Sequence, residues 1–293
     1  MGAASVRIAQ LDVLDHAQSQ TVYDGIIKEY GRVDTHVLNP GRTQRALAMD
    51  ATVESTQTIM DLNFMSFVAL TKVVTPGMIK RGTGSLVVTS SIAGKMGTPV
   101  GSSYSASKWA LHGYFDALRA EVSHLGIHVL LVCPGPVVSE ITEHAVKGAG
   151  KEDTEYETEN EVKMSTPRCT DLTLRAMHHK FDEVRVLHCI VFCSIMLLHS
   201  QRNPANFASL SSFSLHHTLR HYTTRAHYCL LLTHNSQVWV STQPFLAITY
   251  ISVYAPGVGR FLFKRLFGPA RVNSFLSGGS VFDLKAVLRS LWE

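Results

Sequence analysis

Val87-Val88-Thr89-Ser90-Ser91-Ile92-Ala93-Gly94 and, shortly after it, Ser103-Tyr104-Ser105-Ala106-Ser107-Lys108 decide the reading of this chain. The first run is a β-branched strand that ends on hydroxyls, and the second opens a helix. Tyr104 and Lys108 are four apart, so on a helix they share one face, about one turn from each other. A cation in that position favours the tyrosinate and draws the phenol pKa down. Ser91, thirteen residues before Tyr104 at the strand end, can hydrogen-bond a substrate oxygen. A proton donor or acceptor and a hydroxyl beside one carbonyl or alcohol are what hydride transfer requires.

Outward from this run the chain alternates strand and helix. Residues 8–13 (Ile8-Ala9-Gln10-Leu11-Asp12-Val13) read as a short strand ending in an acid, and Asp15 as the cap of the next helix. That helix, residues 17–30, sets Val22, Ile26 and Ile27 on one face. Residues 35–38 read as a strand, 52–78 as two helical stretches containing Asn63, and 84–89 as a strand. Residues 104–125 read as a helix whose Trp109, Leu111, Phe115 and Leu118 fit a buried face. Residues 127–132 form a near-continuous apolar strand, the pattern of a parallel sheet interior. Alternation at this spacing predicts a doubly wound α/β fold.

Bulk properties exclude several classes. A chain of 293 residues, 45% hydrophobic and 17% charged, suits one large α/β domain. The formal charge of +4, without a Lys/Arg-rich run, gives no electrostatic support for nucleic-acid binding. Five cysteines without framework spacing argue against a disulfide scaffold. Cys189 and Cys193 lack the second pair that would complete a zinc site, so no metal is expected. No signal peptide is legible, and Val6 stands where a myristoylation signal has Ser or Thr. No apolar run reaches ~18 residues, the length of a spanning helix. The apolar tail 246–267, interrupted by Pro256 and Gly257, allows membrane-surface association.

Further matches stand in order around the Ser91–Lys108 run. Asn63 closes Met60-Asp61-Leu62-Asn63 on the preceding helix. Cys133-Pro134-Gly135-Pro136-Val137 follows the strand 127–132, and Gly31-Arg32-Val33-Asp34 leads into a strand ending at Asn39. Together they resemble the active-site half of the short-chain dehydrogenase/reductase family. The resemblance implies a Rossmann-type doubly wound parallel sheet with catalytic residues Asn63, Ser91, Tyr104 and Lys108. It implies cofactor contacts at Asp12, Asn39, Gly41, Tyr104, Lys108, Pro134, Gly135 and Ser139. Tyr104 would exchange a proton with substrate, Lys108 would hold the nicotinamide ribose, and Asn63 would support a water leading from Lys108 to solvent. Ser139 also reads as a plain helix cap. Met96, Val100 and Cys133 read as pocket or as core, and the acidic stretch 151–159 as a solvated loop or a substrate lid. The Arg168-Cys169 helix and the tail Gln243-Pro244-Phe245-Leu246, with Tyr250 and Tyr254, narrow the resemblance to one type of member. For that type NADP(H) is the preferred cofactor, with NAD(H) also allowed. The substrate would be a lipophilic, steroid- or retinoid-like alcohol or carbonyl. The expected location is the endoplasmic reticulum membrane, and a homodimer would form through the helices carrying Asn63 and Tyr104.

The chain also departs from the family pattern. No glycine-rich turn precedes Asp12, so the expectation is a fold missing its first two strands and that turn, with residues 8–13 left without strand neighbours. The family's Asn-Asn-Ala-Gly run is Leu38-Asn39-Pro40-Gly41 here, and Ser66 stands at a family glycine. No Asp, Glu or Lys occurs between Val184 and Phe263, and seven of the fifteen histidines fall in 185–237. Residues 185–237 therefore read as an atypical His/Ser-rich insert, most plainly a translated intron. It separates a core, 1–184, from a C-terminal continuation, 238–293. The alternative to an active oxidoreductase is a catalytically silent scaffold unable to bind the dinucleotide.

Overall fold

The computed structural model of the protein describes residues 5–148, 163–186, 229–233 and 237–241, together with Val272. Its centre is a strand whose residues are apolar on both faces. This strand, β4 (Ile127–Pro134), pairs in parallel with β3 (Gly84–Thr89) from Gly84↔Ile127 to Thr89↔Val132. Beyond β3 lies β1 (Thr35–Leu38), again parallel. On the far side of β4 follow β6 (Glu183–Val186) and β8 (Gln237–Ser241), both parallel, and then β7 (Cys229–Thr233), antiparallel to β8. The sheet order is β1-β3-β4-β6-β8-β7. A separate two-stranded ribbon joins β2 (Gln44–Arg45) to β5 (Val146–Lys147).

Successive strand residues point to opposite faces, and two buried clusters result. Leu86, Val88, Val129 and Leu131 meet Phe67, Leu70, Leu111 and Phe115 from α3 (Ser66–Arg81) and α4 (Ser102–Val122). Val87, Leu130 and Val132 meet Leu172 and Ala176 from α5 (Thr166–His178) on the other face. Helices on both faces of a mainly parallel sheet make the fold α/β and doubly wound, as the alternation predicted.

Two more helices complete the first face. Helix α1 (His16–Tyr30) starts at Asp15, whose carboxylate accepts from the Gln18 amide, the capping role expected for it. Helix α2 (Val53–Met60) continues through a π-turn, Asp61–Met65, into α3 without a break. This continuous helix, Val53–Arg81, is the one among the described residues long and apolar enough to cross a membrane. Its Phe67, Leu70, Val74 and Met78 belong to the core, which accounts for that face of its apolarity.

Two expectations are corrected. Residues 8–13 form no strand. Asp12 is drawn into a turn: its carboxylate accepts from the Leu14 amide, its carbonyl from the Asp15 amide, and its own amide donates to Gln18. Ile8 is exposed, and only Leu11 and Val13 pack against the core. Among the described residues no strand lines the outer edge of β1, so nothing there offers these residues a ladder. Trp109 is half exposed rather than buried, because the inward face of α4 runs through Lys108, Leu111, His112 and Phe115. Position 109 is rotated about 100° away from Lys108.

The segment 187–228, the acidic stretch 151–159 and the tail beyond Ser241, apart from Val272, lie outside the described residues. The last two residues of β6, all of β7 and the first residue of β8 fall within the stretch read as an insert, and all belong to the main sheet.

Gly126 closes the turn between α4 and β4 at φ 79°, a value that L-residues avoid, and an added Cβ would come 2.1 Å from the Gly82 carbonyl oxygen. Gly126→Ala should therefore cost about 1–3 kcal/mol of stability, read from urea unfolding of variant and parent.

Candidate active site

The strand ends and the loops that follow them enclose a cavity of about 1060 Å³. In open α/β sheets such crevices lie beyond the carboxyl ends of the strands. Thr89 ends β3 and Ser90 and Ser91 follow it, while Pro134 ends β4 and Gly135 and Val137 follow it. Asn39, Gly41 and Arg42 follow β1, and Gln44 and Arg45 come from the ribbon. Tyr104 and Lys108 reach the cavity from α4.

Ser91 sits in extended backbone at the start of a short turn, Ile92–Gly94. Its hydroxyl accepts from the Ala93 amide at 3.2 Å and lies 3.5 Å from the Pro134 carbonyl. It lines the same cavity as the Tyr104 phenol and acts to lower the pKa of that group. The Lys108 ammonium is buried, donates to the Thr89 carbonyl at 2.9 Å, and lies 5.5 Å from the Phe67 ring centre and 5.8 Å from that of Tyr104. Burial pushes the Lys108 pKa down to about 8.

The phenol behaves differently from the sequence expectation. Burial is the largest influence on Tyr104 and raises its pKa above the usual value. The Ser91 hydroxyl and the charge of Arg45 act in the opposite direction and only partly offset it. Proximity along the helix was a sound reason to look for a cation beside Tyr104. Desolvation nevertheless outweighs it.

Asn63 is fully buried on the π-turn, and its carboxamide is committed within the protein. Its Oδ1 accepts from the Arg42 amide at 2.9 Å. Its Nδ2 donates to the Arg42 carbonyl at 2.9 Å and to the Ser107 hydroxyl at 3.1 Å. One side chain thus ties the loop after β1 to α4. Gly41 lies against it: an added Cβ would stand 3.3 Å from Asn63 Oδ1 and 3.8 Å from Lys108 Nζ.

The structure brings Asn39, Gly41, Ser91, Tyr104, Lys108, Pro134, Gly135 and Ser139 to one cavity, with Asn63 directly behind it. Ser139 precedes the short turn Glu140–Thr142 without capping it, and its hydroxyl donates to the Val137 carbonyl. Met96 lines the cavity, whereas Val100 and Cys133 are buried outside its lining. Asp12 lies apart, exposed, with its carboxylate taken up by its own turn. Sequence reasoning passed over Gln44 and Arg45, both buried and both lining the cavity. Their signal was positional: they lie a few residues beyond Asn39 and Gly41, where the chain has to cross the mouth of the site.

A profile of the short chain dehydrogenase family matches residues 2–150, and the chain belongs to that family. Among named relatives it is similar to dehydrogenase/reductase SDR family member 7 of Homo sapiens, 29% identical over 274 residues, which cover 93% of this chain and 65% of the relative. Member 7B of Danio rerio is 41% identical over 125 residues, covering 43% of this chain and 40% of that protein. The chain thus spans less than two thirds of the length of these curated relatives. Among solved structures, a short-chain dehydrogenase from Streptomyces avermitilis superposes with a TM-score of 0.55 at 27% identity, covering 70% of this chain and 78% of the other.

Two outcomes test this geometry. Asn63→Leu strands the amide and carbonyl of Arg42 and should cost about 2–4 kcal/mol. Hydrogen exchange at the Arg42 amide should accelerate relative to the amides of β4. Lys108 gives a pH dependence whose sign is fixed by its depressed pKa. Below about 8 both folded and unfolded chains carry the proton, and the cost of burying the charge is borne in full. Between about 8 and the ordinary lysine value of 10.5 the unfolded chain holds more protons, so stability should rise with pH, by about 3 kcal/mol across the window. Lys108→Met should remove this rise in urea titrations taken at successive pH values.

Proposed function

We propose that the protein is an oxidoreductase that interconverts an alcohol and a carbonyl, with a nicotinamide dinucleotide as hydride carrier. The observation that carries this reading is the convergence of Ser91, Tyr104 and Lys108 on one cavity, with the Lys108 ammonium 5.8 Å from the Tyr104 ring centre.

In this reading the substrate oxygen lies between the Ser91 and Tyr104 hydroxyls. Ser91 donates a hydrogen bond to it, and Tyr104 gives it a proton in the reductive direction or removes one in the oxidative direction. A raised phenol pKa keeps Tyr104 protonated at neutral pH and so favours reduction. Asn63 fixes the loop that carries Gly41, which holds the cavity wall in place against Lys108. The dinucleotide would supply the hydride. Its nicotinamide end suits the wall made by Asn39, Gly41, Pro134, Gly135 and Ser139, where a buried ammonium stands beside a backbone without a Cβ at Gly41. NADP(H) is preferred over NAD(H) on resemblance to member 7.

Ile92, Met96, Val137, Val138, Leu174 and Met177 give the cavity an apolar lining, which supports a lipophilic, steroid- or retinoid-like substrate. A homodimer through the helices that carry Asn63 and Tyr104 draws support from Met65 at the end of the π-turn and Trp109 on α4, both exposed. Location at the endoplasmic reticulum membrane rests on the resemblance alone, whereas the division of the chain at 185 and 237 into core, insert and continuation rests on the His/Ser-rich composition of 185–237 together with the resemblance of its flanks.

The test is turnover of a panel of lipophilic ketones with NADPH, alongside nucleotide fluorescence to measure binding. Tyr104→Phe should abolish turnover by at least about 100-fold, the scale of a lost acid–base group, while leaving nucleotide binding unchanged. Turnover that survives in Tyr104→Phe would refute the mechanism. Absence of nucleotide binding by the parent chain would favour a silent scaffold instead.

A further inference from the structure

We infer that Gln44 determines substrate specificity: its carboxamide donates a hydrogen bond to a second oxygen of the substrate, apart from the one that reacts. The substrate class is then a lipophilic ketone or alcohol that carries a further carbonyl or hydroxyl oxygen. The inference deepens the proposed alcohol–carbonyl chemistry and rests on it.

Gln44 is 2% exposed, yet it lines the cavity that Ser91 and Tyr104 share. Glutamine is mostly a surface residue, and a buried carboxamide needs partners at both ends. One end has its partner: Oε1 accepts from the Ser103 amide at 2.8 Å. A backbone amide can only donate, so the atom facing it is the oxygen, and that bond fixes which way the carboxamide points. The nitrogen end is left over. Among the described residues no hydrogen bond occupies Nε2. Nor is this nitrogen sealed in the interior, so the open space it meets is the cavity that Gln44 lines. The hydroxyls around the start of α4 are spent on one another, Thr98 with Ser105 and Thr56 with Ser103, both at 2.8 Å.

The donor is held in place and strengthened by the same contact. Gln44 is in register with Val146 of β5, whose amide donates to the Thr43 carbonyl at 2.8 Å, and Ala46 donates its amide to the Val100 carbonyl at 3.2 Å. The backbone is thus fixed on both sides of Gln44. Helix α4 begins at Gly101 without a capping side chain of its own, so the Gln44 oxygen serves an amide of its first turn, one residue from Tyr104. Amides at a helix N-terminus carry partial positive charge. A carboxamide that accepts there is polarised, and its N–H groups become better donors. Ile92, Val137 and Val138 make other parts of the cavity wall apolar. A substrate that fills this space without an acceptor opposite Gln44 strands the donor, and one that carries an acceptor is selected. Ser91 and Tyr104 take the reacting oxygen in the proposed chemistry, so the oxygen that meets Gln44 is a second one.

The test uses pairs of lipophilic ketones on one carbon skeleton, one member with a single carbonyl and the other with an added carbonyl or hydroxyl oxygen. With NADPH the parent should favour the doubly oxygenated member of at least one pair by about 10- to 100-fold in kcat/KM. Gln44→Glu keeps an oxygen for the Ser103 amide but replaces the donor with a second acceptor, and Gln44→Met removes both ends. Each should erase the preference. Equal treatment of every pair by the parent, or a preference that survives in a folded variant, would overturn the inference. A loss of nucleotide affinity in Gln44→Glu with the preference intact would assign the donor to the dinucleotide and overturn it as well. Gln44→Met leaves the Ser103 amide bare, so if it fails to fold, Gln44→Glu decides. The same preference is read as a ratio of Kd values by equilibrium dialysis in the presence of NADP+. A parent that binds the pair with this preference and turns over neither member would defeat the functional proposal and uphold this one.

Discussion

The carboxamide of Asn63 is the constraint on which the site depends. Its three hydrogen bonds join the loop after β1, the π-turn and α4, elements that otherwise meet only through side-chain packing. A buried amide with all of its partners made is stabilising, and with any one lost it is a liability, so the three elements are held together or not at all. Gly41 shows how close the approach is, since a Cβ added there would stand within van der Waals reach of both Asn63 and the Lys108 ammonium.

Charge burial is handled by a second network behind the cavity. Glu183, on β6, is paired with Lys95 at 2.7 Å and with Arg185, and all three are largely removed from water. His112 lies beside them. Burial, reinforced by the charge of Lys95, pushes its pKa down to about 3, so it stays neutral. The Ser90 hydroxyl bridges His112 Nε2 at 3.0 Å and the Lys108 carbonyl at 3.4 Å, which links this network to the helix carrying Tyr104. Removing one partner of such a pair leaves an uncompensated buried charge, so the arrangement favours a single conformation of the turn after Ser91.

Much of this was legible in the sequence. The alternation of apolar strands and amphipathic helices gave the doubly wound sheet, because β3 and β4 have to be covered on both faces. The spacing of Tyr104 and Lys108 placed both on one face of α4. Three things were not legible. Residues 8–13 carry a strand pattern, but a strand needs a partner edge, and hydrogen bonds local to Asp12 made a turn instead. Trp109 is apolar, but its angular position on α4 sets it toward solvent. Arg45 belongs to no helical or strand periodicity. Its place in the site comes from the ribbon with β5, a contact distant in sequence that no local pattern announces.

The π-turn has a consequence for how this site can vary. Asp61–Met65 holds one residue more than an α-helical turn would, with α2 and α3 running on either side of it. Deleting one residue there would let the helix close into regular α form, with α2 and α3 keeping nearly their present phase and only the wide turn lost. Asn63 would then lose the wide turn that sets it between Arg42 and Ser107. The site is encoded in a length as much as in a composition: this stretch can absorb many exchanges of residue and no change of frame.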